Sequence, residues 1–142
     1  MALQTDNIDK IHARLEKLKE YVSILETLKS TSEDELKTDF VKKGAIERYL
    51  QLAIEACIDI AELIISDQRF KTPETAKDAI KILGEKGIIS KEFADRFSKA
   101  AGFRNILIHD YLEIDYKQLL TSLKTNLTDF DTFIRSILEF LK

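Results

Sequence analysis

Residues 45–65 read AIERYLQLAIEACIDIAELII. The stretch is apolar nearly all round, which describes a helix covered on every side by neighbours rather than one lying on a surface. The helical run that contains it reaches from about Glu33 to Ser66, with a break near Asp39. One polar stripe survives at helical spacing: Arg48, Gln51, Glu55, Asp59 and Glu62. It is either a solvent face knitted by i,i+4 pairs or the flank of a functional site. Cys57 is alone, so no intramolecular disulfide is available. Inside this apolar run it reads as a small buried hydrophobe.

The segments on either side are helical too. Ile8, Ile11, Leu15, Leu18, Val22 and Leu25 alternate at spacings of three and four, one apolar stripe on a helix of about 22 residues. His12 lies beside that stripe, at the surface, and takes no role. Ser32 followed by Glu35 is a capping box that opens the next helix. In DQRFKTPETAK, Thr72 is expected as a cap with Pro73 in the first turn; that short helix should end at Gly84 or Gly87. Ser90 caps a helix from Lys91 to about His109, and Asp115 caps the last. There Tyr116, Leu120, Leu123, Leu127, Phe130, Ile134, Ile137 and Leu141 form a heptad-like seam. No β alternation, repeat or linker appears. The expected architecture is a single all-α domain over 1–142: an antiparallel bundle of four principal helices with a shorter one between the second and fourth.

Composition narrows the function. With four glycines and one proline, the chain lacks the turn residues that an all-β fold uses. A net charge of −3 excludes a protein that holds nucleic acid by a broad basic field, so any polyanion contact must be local. The first ten residues lack the basic start and apolar core of a signal peptide. No apolar run approaches the ~18 residues of a membrane span. A cytoplasmic location without membrane contact is expected.

One segment, GFRNILIHDYLEID (102–115), concentrates reactive side chains at the spacing R-x4-H-x-Y. If it is helical, Phe103, Ile106 and Leu107 face the core, while Arg104, Asn105, Ile108 and His109 lie on the other side. Arg104 and His109 are then roughly 140° apart around the axis, sharing an exposed hemisphere without stacking. An isoleucine at 108 amid polar neighbours implies that another surface covers it. In a helical continuation Tyr111 would share the angular position of Arg104. Histidine exchanges protons near neutral pH, and arginine grips phosphate oxygens with two donors. Against this stands the plain alternative of a capping histidine and a solvated arginine.

FRNILIHDY resembles the R-x4-H-x-Y signature of the HEPN superfamily, in particular its HepT-like toxin branch. AIERYLQLAIEACIDIAELII is similar to that branch's central helix, and GFRNILIHDY with the acidic EID to its last turn and cap. The resemblance spans about residues 5–140 and is weakest over the first 35. It implies a homodimeric four- to five-helix bundle and a metal-independent ribonuclease. It makes Arg104 and His109 of both protomers the catalytic pair, with Asn105 as a supporting polar residue. It further implies a partner, a minimal nucleotidyltransferase antitoxin that transfers AMP to Tyr111.

Elementary chemistry agrees. RNA carries its own nucleophile, the 2′-hydroxyl, so an enzyme needs an acid–base group and a cation for the phosphoryl oxygens. A two-fold axis supplies two of each around one cleft. No cofactor is implied, and no metal, since His12 and His109 are far apart in sequence and Cys57 is single. The alternatives are a non-catalytic HEPN module that binds a nucleotidyltransferase or RNA, and a purely structural helical dimer. The first would not need both Arg104 and His109; an exposed Ile108 and Tyr111 count against the second.

Overall fold

The computed structural model describes residues 2–109 and 114–142. They form six helices: α1 (Thr5–Leu28), α2 (Glu33–Thr38), α3 (Phe40–Gln68), α4 (Ala76–Glu85), α5 (Lys91–His109) and α6 (Tyr116–Leu141). No strand occurs among the described residues. Helix α3 is the axis of the molecule. It packs against α1, α4, α5, α6 and the short α2. Buried side chains run from Ala56 through Ile60, Ile46 and Leu50 to Ile58, around more than half of its circumference. The stripe expected on α1 is the one that packs, with Ile11, Leu15, Leu18, Val22 and Leu25 all buried.

The break at Asp39 is real. Asp39 ends α2 and starts α3 by accepting a hydrogen bond from the Lys42 amide (3.0 Å). The Ser32–Glu35 capping box is complete, at 3.1 Å and 3.2 Å. Lys42 reaches back to Glu35 at 2.7 Å, tying the two helices across the break. Ser90 accepts from the Phe93 amide and Asp115 from the Lys117 amide, as the sequence implies.

Two expectations need correction. Thr72 is not a cap and Pro73 is not helical. The cap of α4 is three residues later, at Thr75, which accepts from the Asp78 amide while Asp78 accepts from the Thr75 amide. The reciprocal box needs an acid three residues after the cap. Thr75 has Asp78 there, whereas Thr72 has Thr75. The seam on α6 is also wider than a heptad line. Leu119 and Phe133 are fully buried beside Leu123, Leu127, Phe130 and Ile137, whereas Tyr116, Leu120 and Leu141 are only partly covered. A helix flanked by α1, α2, α3 and α5 needs a broad apolar face, not a coiled-coil edge.

Residues 102–109 of the segment that carries Arg104 and His109 lie on α5, and two glycines set that helix in place. Gly87, with φ +74, closes α4 in a Schellman turn: its amide donates to the Gly84 carbonyl and the Ile88 amide to Leu83. Gly84 lets α4 and α5 touch, because a Cβ there would collide with the Cβ of Ala94. Gly84→Ala should therefore destabilise the protein by about 1–2 kcal/mol, overpacking outweighing the gain in helix propensity. The denaturant midpoint measures this, and Ala94→Gly in the same chain should recover most of the loss.

Candidate active site at the end of α5

The first half of α5 is anchored by aromatics. Phe93 and Phe97 stack at 5.1 Å between ring centroids, and Phe97 meets Phe130 and Phe133 of α6 at 6.1 Å and 5.6 Å. That anchorage fixes the rotation of the helix. Phe103 and Leu107 are buried, and Ile106 packs on the core at its edge. The remaining side of the last two turns carries Arg104, Asn105, Ile108 and His109. This is the division that the helical period implies.

Arg104 is more enclosed than a solvated arginine would be. Its Nε is buried and has no hydrogen-bond partner among the described residues. One Nη donates to the Asn105 side-chain oxygen at 3.4 Å. Asn105 therefore does contact Arg104. The guanidinium is held but not spent, with donors left over for an anion. His109 is the last residue of α5 and is exposed. Ile108, beside it, is 37% exposed; of the large apolar side chains among the described residues only Phe40 (74%) and Val41 (84%), at the start of α3, join it in solvent. Tyr111 lies outside the described residues.

Asp59, of the polar stripe on α3, lies in the field of this arginine. Gln51 donates to Glu55 at 3.0 Å. Asp59 pairs with Arg14 of α1, Nε to Oδ2, at 3.6 Å. Burial pushes the Asp59 carboxyl above its ordinary range; Glu55 adds to that, while Arg14 and Arg104 pull it back. Helices α1, α3 and α5 thus bring Arg14, Asp59 and Arg104 into one electrostatic neighbourhood. The Arg14–Asp59 pair is about half exposed, so its contribution to stability is small, about 0–1 kcal/mol. Its interest is its position beside Arg104. A cleft of 460 Å³ opens between α1 and α3 beside the Arg14–Asp59 pair, with Lys10, Arg14, Asp59, Glu62 and Leu63 on its walls. Arg48, at the other end of the stripe, is exposed. Arg14 escaped the sequence reading, because within ARLEKLKE it is one charge of several on a wet face. Only the packing of α1 on α3 singles it out.

Cys57 is buried, which pushes its thiol well above the ordinary range and leaves it unfit as a nucleophile at neutral pH. Among the described residues no three His, Cys, Asp or Glu side chains are grouped to hold a metal ion. None of the described helices is long and apolar enough to cross a membrane.

The bundle of six helices among the described residues shares its fold with a solved HEPN toxin. The ribonuclease HepT-like family model matches residues 11–137, and the chain belongs to that family. It is 33% identical to the mRNA nuclease HepT of Shewanella oneidensis over 100 residues, 70% of this chain and 75% of that one. It is 30% identical to the tRNA nuclease HepT of Aphanizomenon flos-aquae over 131 residues, covering 92% and 89%. Among solved structures it resembles the tri-AMPylated Shewanella oneidensis HEPN toxin in complex with its MNT antitoxin. There the TM-score is 0.82, with 28% identity over 91% of this chain and 96% of that one.

Proposed function

We propose that this chain is the ribonuclease toxin of a toxin–antitoxin pair. It cuts RNA without a metal, at a site that two copies of the chain complete. The observation that carries the reading is the state of Arg104, half-enclosed with its Nε unpartnered, on the same outer face of α5 as the exposed His109. Binding alone would not call for an acid–base group beside a poised guanidinium. In the reaction, one His109 takes the 2′-hydroxyl proton as that oxygen attacks phosphorus. The second copy's His109 gives a proton to the departing 5′-oxygen, and the Arg104 guanidinia bind the phosphoryl oxygens. The products are a 2′,3′-cyclic phosphate and a 5′-hydroxyl end. Asn105 steadies Arg104. Names of relatives add support: two are nucleases of mRNA and tRNA, and one solved toxin is AMPylated in complex with its antitoxin.

Cleavage should persist in excess chelator and leave a cyclic phosphate, detected by mass spectrometry of the fragments. A requirement for added magnesium would refute the mechanism. Growth arrest on expressing the chain alone, absent with His109→Ala, separates a toxin from a non-catalytic binding module.

Dimerisation is the second part of the proposal. Ile108, exposed between Arg104 and His109, is the side chain a partner copy would cover. Sedimentation at micromolar concentration should report a dimer, and Ile108→Asp should shift it to monomer with loss of cleavage. A stable monomer that still cuts RNA would rule out the composite site.

A further inference from the structure

Helices α5 and α6 diverge along part of their length and leave a groove of 270 Å³, walled by Arg96, Lys99 and Phe103 on one side and Thr125, Asn126 and Asp129 on the other. Its floor is unusual. Asn126 is only 5% exposed and Asp129 only 4%, on a helix face otherwise filled with Leu and Phe. The Asn126 amide nitrogen is buried without a hydrogen-bond partner among the described residues. A buried amide left unpaired costs free energy that a leucine at this position would not. Asp129 is paired on one oxygen alone, with Arg96 Nε at 3.3 Å and Nη2 at 3.2 Å both directed at Oδ1. Arg96 is held in turn over the Phe93 ring, 5.2 Å from its centroid. The groove therefore has a buried, unpaired amide nitrogen in its floor, a carboxylate oxygen that Arg96 leaves free, an aromatic ring on its wall and two cations at its mouth, one of them already paired with Asp129.

We infer that this groove is a nucleobase subsite for the RNA substrate: one unstacked base enters with an acceptor on Asn126 and a neighbouring N–H on Asp129, while its phosphate lies toward Arg96 and Lys99. Each base edge places an acceptor next to an amino or imino donor, in one order in adenine and cytosine and in the opposite order in guanine and uracil, so an asparagine and an aspartate fixed side by side can tell one pair from the other. Phe103 supplies a ring for the base to pack on. The volume is below the ~300–1,000 Å³ of pockets for drug-sized ligands, which suits a single base. Position is the remaining support. From Arg96 to Phe103 the groove follows α5 for roughly 10 Å, and Phe103 directly precedes Arg104. The groove thus lies about a quarter turn around α5 from Arg104, on the side away from His109, so the base would sit beside the phosphate that Arg104 holds and not beside the histidine. An acidic protein that attracts RNA only locally would select its target by such contacts.

The inference rests on the ribonuclease reading, and the experiment separates the two. The intact protein is titrated with each of the four nucleoside 5′-monophosphates, following the Asn126 side-chain amide by NMR. Cleavage is then measured on short RNAs that vary base by base around the cut. Wild type should bind at least one monophosphate and shift the Asn126 signal, and it should show a base preference at one position near the scissile bond. Asn126→Leu should weaken that binding about fivefold or more, flatten the preference, and raise KM with little change in kcat, while its melting temperature holds or rises. Thr125→Phe, on the exposed rim, blocks the groove without touching the core and should do the same. Unchanged binding and preference in both variants would overturn the subsite. Lost mononucleotide binding with an intact cleavage preference would overturn its assignment to the substrate and leave a site for a free nucleotide. Mononucleotide binding by a wild-type protein that cuts no RNA would count against the ribonuclease reading and not against the groove.

Discussion

Purified His109→Ala protein should leave RNA intact where the wild type cuts it, a loss on the order of 10⁴-fold or more. A single acid–base side chain contributes about 10²–10⁴-fold. In a two-fold site the substitution removes the base and the acid together. His109 is exposed at the end of α5 and packs on nothing central, so the variant should keep its fold and its melting temperature. Arg104→Ala should cost on the order of a hundredfold, as loss of a charge-stabilising donor does. Arg104→Lys should recover little, because a single ammonium cannot replace a planar fork of donors. The two losses should combine to less than their product, since both groups serve one transition state. Cleavage that is unchanged in His109→Ala would remove histidine from the mechanism.

Much of this was legible in the sequence because the relevant residues are close together in it. Arg104, Asn105, Ile108 and His109 fall within two turns of one helix, so the helical period alone places them on a common face. The same holds for the Ser32, Ser90 and Asp115 caps, where donor and acceptor are two or three residues apart. Thr72 failed because proline and threonine together resemble a helix start, and only the acid at Asp78 tells Thr75 from Thr72. What no window of sequence discloses is what packing brings together. Arg14 and Asp59 are 45 positions apart and meet only when α1 lies on α3. Asn126 and Asp129 fall outside the apolar seam read on α6, and a polar residue in a long amphipathic helix is ordinarily exposed. The chain buries both, beside a groove. The stripe on α3 was ambiguous for the same reason: i,i+4 pairing and proximity to a site produce one pattern. The structure contains both, Gln51 with Glu55 along the helix and Asp59 in the field of Arg104.

Incubation with the cognate nucleotidyltransferase and ATP should add one or more AMP units to the chain and silence it. Peptide mapping should place them on Tyr111. The motive is chemical and sequential. Tyr111 is two residues from His109 in the chain, and the related Shewanella toxin is tri-AMPylated in complex with its MNT antitoxin. Each transfer breaks the α–β phosphoanhydride of ATP, releases pyrophosphate and joins the α-phosphorus to the acceptor oxygen. The result is a phosphodiester anion seven residues along the chain from Arg104, whose guanidinium has donors to spare, and arginine favours such a partner. The nucleotide would occupy the space and the charge that substrate phosphate needs, so inhibition follows on both counts. Tyr111→Phe should keep the fold and the ribonuclease activity, take up no AMP, and remain toxic when co-expressed with the transferase. If that variant is modified and silenced like the wild type, the acceptor is elsewhere. Tyr116 would be the next to examine: it opens α6, with the Lys43 ammonium 5.9 Å from its ring centroid.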